Sequence, residues 1–250
     1  MPALATLLGQ VDNGTLLLPE FQRGYVWNRD QVRGLMRSLY KGHPVGGLLL
    51  WETGSDAVSV RGRPYGDGTR LLLLDGQQRI TTLYGIIRGR PPAFFEGDVA
   101  AFTGLHFNLA EERFEFYAPS KMAEDPRWID VTRLFIDGIE SELGPFEGSP
   151  ELLTYVTRLS RLHDVLNRDF QQETIAGEDK DVDDVVEIFN RVNSGGTKLT
   201  KGDLALAKVC AQWPRAREVM REKLARWRNA GFDFTLDWLL RNVTAVATGR

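Results

Sequence analysis

An aspartate, a glycine, two glutamines and an arginine stand together at positions 75–79, between four leucines (71–74) and the run Ile80, Thr81, Thr82, Leu83. An apolar run, a polar turn and a second apolar run read as strand, tight turn and helix. The first turn of a helix leaves N–H groups unpaired and carries the positive end of the helix dipole, so such a corner can hold an anion. Gly76 would let backbone approach a ligand without a Cβ in the way. Arg79 offers a planar, permanently charged donor that grips phosphate oxygens two at a time. Asp75, at the end of a buried strand, has the chemistry to hold Mg²⁺ or orient a water. The spacing of Asp75 and Gln78 also fits an N-capping box, a purely structural use of both residues. That use leaves Gly76, Gln77 and Arg79 unexplained.

Other segments offer matching chemistry. Gln22 has a donor and an acceptor, Arg23 can meet a phosphate, and Tyr25 and Trp27 can stack on a base or line an apolar wall. Pro44 stops a helix, and Gly46 and Gly47 permit a close crossing of chains, which also suits a nucleotide. At 190–199 a glycine turn joins two helices. Gly195 can take a left-handed helix-closing conformation, and Thr200 with Asp203 can box the next helix. Asn193 is left over there, with an amide able to meet a base or ribose. His43, His106 and His163 lie far apart and form no ligand pattern, and neither a zinc signature nor a nucleophile-elbow serine occurs.

The elements that must position these groups follow from periodicity. Leu4, Leu7, Leu8 and Val11 share one face of a helix at 3–12, and Leu16, Leu17 and Leu18 form a short strand. Asn28 caps a helix at about 29–41, with Val32, Leu35, Met36 and Leu39 inward. The runs 47–52 and 70–74 read as buried strands and 78–88 as a helix. Residues 105–109 and 114–117 alternate as a hairpin. Beyond 119 the pattern is helical, at 150–168, 181–192, 201–211 and 215–229. The fold class is α+β: an α+β core over 1–120, followed by a mainly helical part over 121–250.

The 250 residues carry 42% hydrophobic and 26% charged side chains, enough for a normal core. The single cysteine, Cys210, excludes an internal disulfide and any multi-cysteine zinc site, and points to the cytoplasm. The N-terminus lacks a basic start and a long apolar stretch, so it reads as carrying no signal peptide, and no run reaches the length of a membrane span. The sequence stops within a stretch of helical pattern, 236–243, as a shortened chain or a short protein would. A net charge of −3 hides an asymmetry: residues 20–90 hold eleven Lys/Arg against six Asp/Glu. Clustered positive charge suits phosphate, whether of a nucleotide or of nucleic acid. A sequence pI near 5.7 argues against general coating of DNA.

The motif at 75–83 resembles the DGQQR signature of the N-terminal domain of GmrSD-type restriction proteins, a domain shared with phosphorothioate-sensing defence proteins. Residues 18–27 are similar to that family's IPxYQRxYxW motif, with Leu18 for Ile and Phe21 for Tyr. Residues 43–50 resemble its P-[IV]-G strand entry, and 189–199 its FxxxNxxGxxL motif. The resemblance implies a ParB/sulfiredoxin-like fold with a small mixed sheet. In that fold the strand–turn–helix cradles nucleotide phosphates over Gly76, Gln77, Thr81 and Thr82, with Gly46, Gly47 and Asn193 as further nucleotide contacts. It implies a nucleoside triphosphatase working with Mg²⁺, with Asp75, Gln78 and Arg79 as catalytic residues and Asp75 as metal ligand. It further implies recognition of modified double-stranded DNA through Gln22, Arg23, Tyr25 and Trp27, and control of a downstream nuclease domain or partner subunit. A homodimer is compatible with it, and a membrane is not involved. The competing expectation is a DNA-binding module that reads a modified, for example phosphorothioate, backbone without hydrolysis. Nothing in the chain supplies the histidine–metal constellation of a nuclease.

Overall fold

The computed structural model describes all residues except 55–59, 62–68, 178–179, 181, 193–205, 207–208, 211–212, 214 and 249–250. Two compact units share the chain, and neither is continuous in sequence. The first comprises 1–14, 24–48 and 76–173, the second 15–23, 49–75 and 174–250.

In the first unit, α1 (Leu4–Asp12) buries Leu4, Leu7, Leu8 and Val11, the stripe its periodicity predicts. Helix α2 (Arg29–Tyr40) begins on Asn28, whose side chain accepts from the N–H groups of Asp30 and Gln31 at 3.0 and 3.1 Å. Gln31 returns the favour to the Asn28 N–H, completing a capping box. Helix α3 (Gln77–Arg88) buries ten of its twelve residues. Arg79 near its start and Arg88 at its end are the two exceptions, and Tyr84 and Arg88 both bond Asp12 of α1. Strands β5 (Leu105–Asn108) and β6 (Arg113–Phe116) form the expected hairpin, and Tyr40 of α2 packs its ring on Phe107 and Phe114. The Tyr40 hydroxyl donates to Glu112, which also pairs with Arg158 and Arg161. Those arginines belong to α6 (Leu152–His163).

The second unit carries a five-stranded mixed sheet built from β1 (Leu16–Pro19), β2 (Leu48–Thr53), β3 (Val60–Arg61), β4 (Arg70–Asp75) and β8 (Gln172–Ile175). Its order is β3-β1-β4-β2-β8, with β1 parallel to β4 and antiparallel pairing for β1–β3 and β2–β4. Leu17, Leu49, Trp51, Leu72 and Leu74 share a core with Val185 and Phe189 of α7 (Val182–Val192). Leu16, Leu18, Leu50 and Leu73 are equally buried. Burial on both faces explains why these strands read as leucine runs rather than as alternation. Helices α8 (Ala216–Asn229) and α9 (Leu236–Thr248) close a smaller core with Leu206 and Cys210.

The mixed α+β class stands, but the part beyond 120 is not all helix. Strand β7 (Trp128–Asp130) adds a third strand beside β5, and β8 adds an edge to the larger sheet. Three residues are too few to show a period of two, and the polar Gln172, Glu173 and Thr174 of β8 carry no apolar signal. Between β6 and α6 lie two further short helices, α4 (Pro119–Met122) and α5 (Val131–Asp137), the latter packed on α3. The helix expected at 201–211 and the Thr200–Asp203 box fall mainly outside the described residues.

Candidate functional site

Strand β4 ends at Asp75, and Gly76 turns the chain with φ 93° before α3 begins. That left-handed conformation is open to glycine at little cost and disfavoured for other residues. Gly76 itself is the N-cap and has no side chain with which to cap the helix. The Asp75–Gln78 capping box is therefore not formed. Gln78 reaches instead across the unit to 24–27: its Oε1 accepts from the N–H groups of Val26 (2.9 Å) and Trp27 (3.3 Å), and its Nε2 donates to the Gly24 carbonyl at 3.1 Å. One turn further along, Thr82 shares a 2.8 Å hydrogen bond with the Tyr25 hydroxyl. Tyr25 is buried against Phe95 and Phe102, and burial pushes its phenol up to about 12. The aromatic entry segment is thus fastened to α3 by two side chains of the signature region. Gln78→Leu strands three backbone groups, at about 1–3 kcal/mol for each one that water cannot reach. We expect a loss of about 2 kcal/mol in urea unfolding, and a loss within error would remove the clamp from the account.

Arg79 holds the opposite side of the helix start. Its Nη2 donates to the Gly47 carbonyl at 2.5 Å. A Cβ on Gly46, where φ is 84°, would lie 2.9 Å from Nη1, and a Cβ on Gly76 would lie 3.2 Å from Nη2 and inside contact of Leu48. Gly46 and Gly76 therefore lie against a half-buried guanidinium whose hydrogen bond goes to the Gly47 carbonyl. Gln77 and Gln78 are 7% and 8% exposed, and Thr81 and Thr82 are fully enclosed. Arg79 is thus the group of this helix start in the first unit that solvent still reaches.

In the second unit Asp75 is half-buried and pairs in register with Leu49. Gln22 is buried, its Nε2 donating to the Leu74 carbonyl at 2.7 Å, while Arg23 is exposed. Sequence reasoning missed a neighbouring charge cluster. Arg61 donates to the Gln22 carbonyl, and Arg217 to that of Glu20, whose carboxylate lies 3.8 Å from the same guanidinium. Burial and Arg217 pull Arg61 down to about 9. Burial raises Glu20 more strongly than Arg61, Arg217 and Arg221 lower it. The folded state therefore holds the Glu20 proton more tightly than the unfolded chain does. Its stabilising share is complete below the ordinary carboxylate range and is lost as pH rises through the raised folded value. Glu20→Gln should gain stability relative to wild type as pH climbs from about 4 to 7. Urea midpoints at several pH values check this, and a difference independent of pH would contradict it.

Among the other expected residues, Trp27 is half-buried in the first unit, and Asn193 lies outside the described residues. His43 is exposed, His106 bonds the Gly104 carbonyl and packs on Tyr117, and His163 stacks on Phe135. Among the described residues there is no group of three or more His, Cys, Asp or Glu placed to hold a metal, and no helix long and apolar enough to cross a membrane.

The helix start is thus tied on one side to 24–27 and on the other to Gly47. The model of the GmrSD restriction endonuclease N-terminal domain matches residues 4–210, and the chain belongs to that family. It is also similar to an uncharacterized protein of Methanocaldococcus jannaschii, with 24% identity over 270 residues covering 86% of this chain and 43% of the relative. The chain thus spans less than half the length of that relative.

Proposed function

We propose that this domain binds and hydrolyses a nucleoside triphosphate, and that it serves as the sensor of a DNA restriction system. The observation that carries this reading is the Arg79 guanidinium, lodged among Gly46, Gly47 and Gly76 at the start of α3. Glycines free of Cβ atoms, a fork-shaped cation and a helix dipole are together the elements of a phosphate site. Membership of a restriction-endonuclease family supplies the biological setting.

Mg²⁺ fits the residues present. This ion binds nucleotide sites through one or two carboxylates plus the phosphates themselves and keeps several waters. Asp75, the residue before Gly76 in the chain, offers that carboxylate, and a cage of three protein ligands is not required. In hydrolysis a water oxygen bonds to the γ-phosphorus, the bond to the β,γ-bridging oxygen breaks so that the nucleoside diphosphate departs with that oxygen, and the attacking water loses a proton to solvent as inorganic phosphate forms. Arg79 neutralises charge on the phosphate oxygens, and positioning of this kind supplies most of the catalysis in phosphoryl transfer. Gln78, both ends of whose amide hold 24–27, acts as a positioning residue. Nucleotide state would then bias a downstream nuclease domain or partner subunit.

A second reading has its own observation. Tyr25, Val26, Trp27, Asn28 and Arg29 line an open cleft of about 470 Å³, with Val26 58% exposed and Arg29 lying over the Phe116 ring. An apolar and cationic surface of this kind suits a modified DNA backbone, so the domain would read DNA without turnover. The two readings part in one experiment: phosphate release from each ribonucleoside triphosphate with MgCl₂, with and without plain or phosphorothioate duplex. Turnover that disappears in Asp75→Ala and Arg79→Ala supports the first reading. Duplex binding with no turnover under any condition leaves only the second.

A further inference from the structure

Helix α2 carries a row of cations that extends well beyond the cleft at 25–29. Arg29, Arg33, Arg37 and Lys41 recur at every fourth position, and all four are exposed. Lys41 is the C-cap and still has helical angles, with φ −83° and ψ −3°. Residues four apart are neighbours on a helix surface, so the row forms one gently slanting stripe, about 18 Å long at ~1.5 Å of rise per residue.

Stability does not account for this stripe. Like charges at this spacing repel each other and weaken a helix. The helix dipole favours Arg37 and Lys41 near the C-terminus but disfavours Arg29 in the first turn. Within the helix only Asp30 offsets the row, through an exposed 2.7 Å pair with Arg33, and such pairs contribute little in water. The acids of the adjacent β5–β6 hairpin hold other cations: Glu111 and Glu115 pair with Arg113, Glu115 also with Lys121, and Glu112 with Arg158 and Arg161. Asp98, on the rim of the cleft, accepts from the Ala100 N–H of its own turn. Among the described residues Arg37 and Lys41 have no ion-pair partner.

We infer that the stripe binds the phosphodiester backbone of duplex DNA, following one strand away from the cleft at 25–29; the inference rests on the reading that this domain meets DNA. Arg29 belongs to both places: it lines the cleft, donates to the Ala100 carbonyl at 3.2 Å and lies 4.7 Å over the Phe116 ring. The stripe is about half as long as the ~34 Å turn of B-DNA, so it can follow one strand without wrapping the duplex. Its guanidinium groups suit phosphate oxygens two at a time, and Lys41 acts as a point charge. Such contacts fix the position of a protein on DNA and carry no sequence information. The stripe therefore supplies affinity common to every duplex, and any discrimination of a modified backbone falls to the cleft. A single cationic face also reconciles the positive balance of residues 20–90 with a pI near 5.7.

Fluorescence anisotropy of a labelled duplex, plain or phosphorothioate, titrated at several KCl concentrations between about 50 and 300 mM tests this. Each phosphate contact contributes about 0.9 to the slope of log K against log salt. The triple variant Arg33→Gln, Arg37→Gln, Lys41→Gln should flatten that slope by about two to three, and Arg37→Gln alone by about one. At low salt the triple variant should weaken both duplexes by the same factor, about tenfold or more. Arg127→Gln, at an exposed arginine held by Asp125, should leave the slope unchanged. The urea midpoint of the triple variant should equal or exceed that of the wild type, because repulsion along α2 is relieved. Wild-type slope and affinity in the triple variant overturn the inference and leave the DNA reading of the cleft intact. So does a loss confined to the phosphorothioate duplex, which would make the stripe a reader of the modification. A wild-type protein that binds no duplex, with or without Mg²⁺–nucleotide, overturns both.

Discussion

Arg79→Ala should lower triphosphate affinity by about a hundredfold and turnover at least as much, with the fold retained. Two charge-assisted hydrogen bonds to phosphate oxygens are together worth about 3 kcal/mol, and each 1.4 kcal/mol is tenfold in affinity. Against this stands the loss of one hydrogen bond to the Gly47 carbonyl, about 1–2 kcal/mol of stability, which a domain of this size survives. Arg79→Lys is the sharper variant. Lysine keeps the charge but not the fork, so it cannot donate to Gly47 and grip two oxygens in one plane. We expect Arg79→Lys to recover less than half of the lost binding free energy in titrations with Mg²⁺–nucleotide. Full recovery would mean that Arg79 acts as a point charge, and the glycine frame around it would then lack a purpose.

The second large effect is expected at Gly76, and it falls on stability first. Its φ of 93° imposes about 1–2 kcal/mol on any residue with a Cβ. The added carbon would also press into the Leu48 side chain, an overpacking cost of about 1–3 kcal/mol. Gly76→Ala should therefore cost about 2–5 kcal/mol in urea unfolding. The two contributions can be separated, because Leu48→Ala opens the space that the new methyl needs. In the double variant the overpacking share should disappear while the backbone share remains, giving a coupling of at least about 1 kcal/mol between the sites. Strict additivity would show that the backbone conformation alone makes this position glycine.

The legible parts of the molecule are those whose signals are local. The leucine runs at 16–18, 48–50 and 71–74 announce strands buried on both faces, and Asn28 announces the start of α2. Gly76 and Arg79 stand out because their chemistry exceeds what a helix start requires. What the sequence hid is long-range. Gln78 has the spacing of a capping residue, yet its partners lie more than fifty positions away in 24–27, and no local rule points there. Arg217 and Glu20 meet across 197 positions, so a cluster of arginines around one buried carboxylate leaves no trace in a window of sequence. Tyr25 illustrates an ambiguity of residue type. An aromatic in a turn suits either a ligand or a core, and the Thr82 bond with the Phe95 and Phe102 contacts place this one in the core.

The central claim is that phosphate oxygens rest where loop 42–47 meets the start of α3. Amide hydrogen exchange read peptide by peptide, with and without Mg²⁺ and each ribonucleoside triphosphate, addresses it without depending on turnover. The account predicts slower exchange concentrated at 45–48 and 76–80 with the nucleotide that binds, and no such change in Arg79→Ala. Nucleotide binding that protects other segments and leaves these two untouched would contradict it.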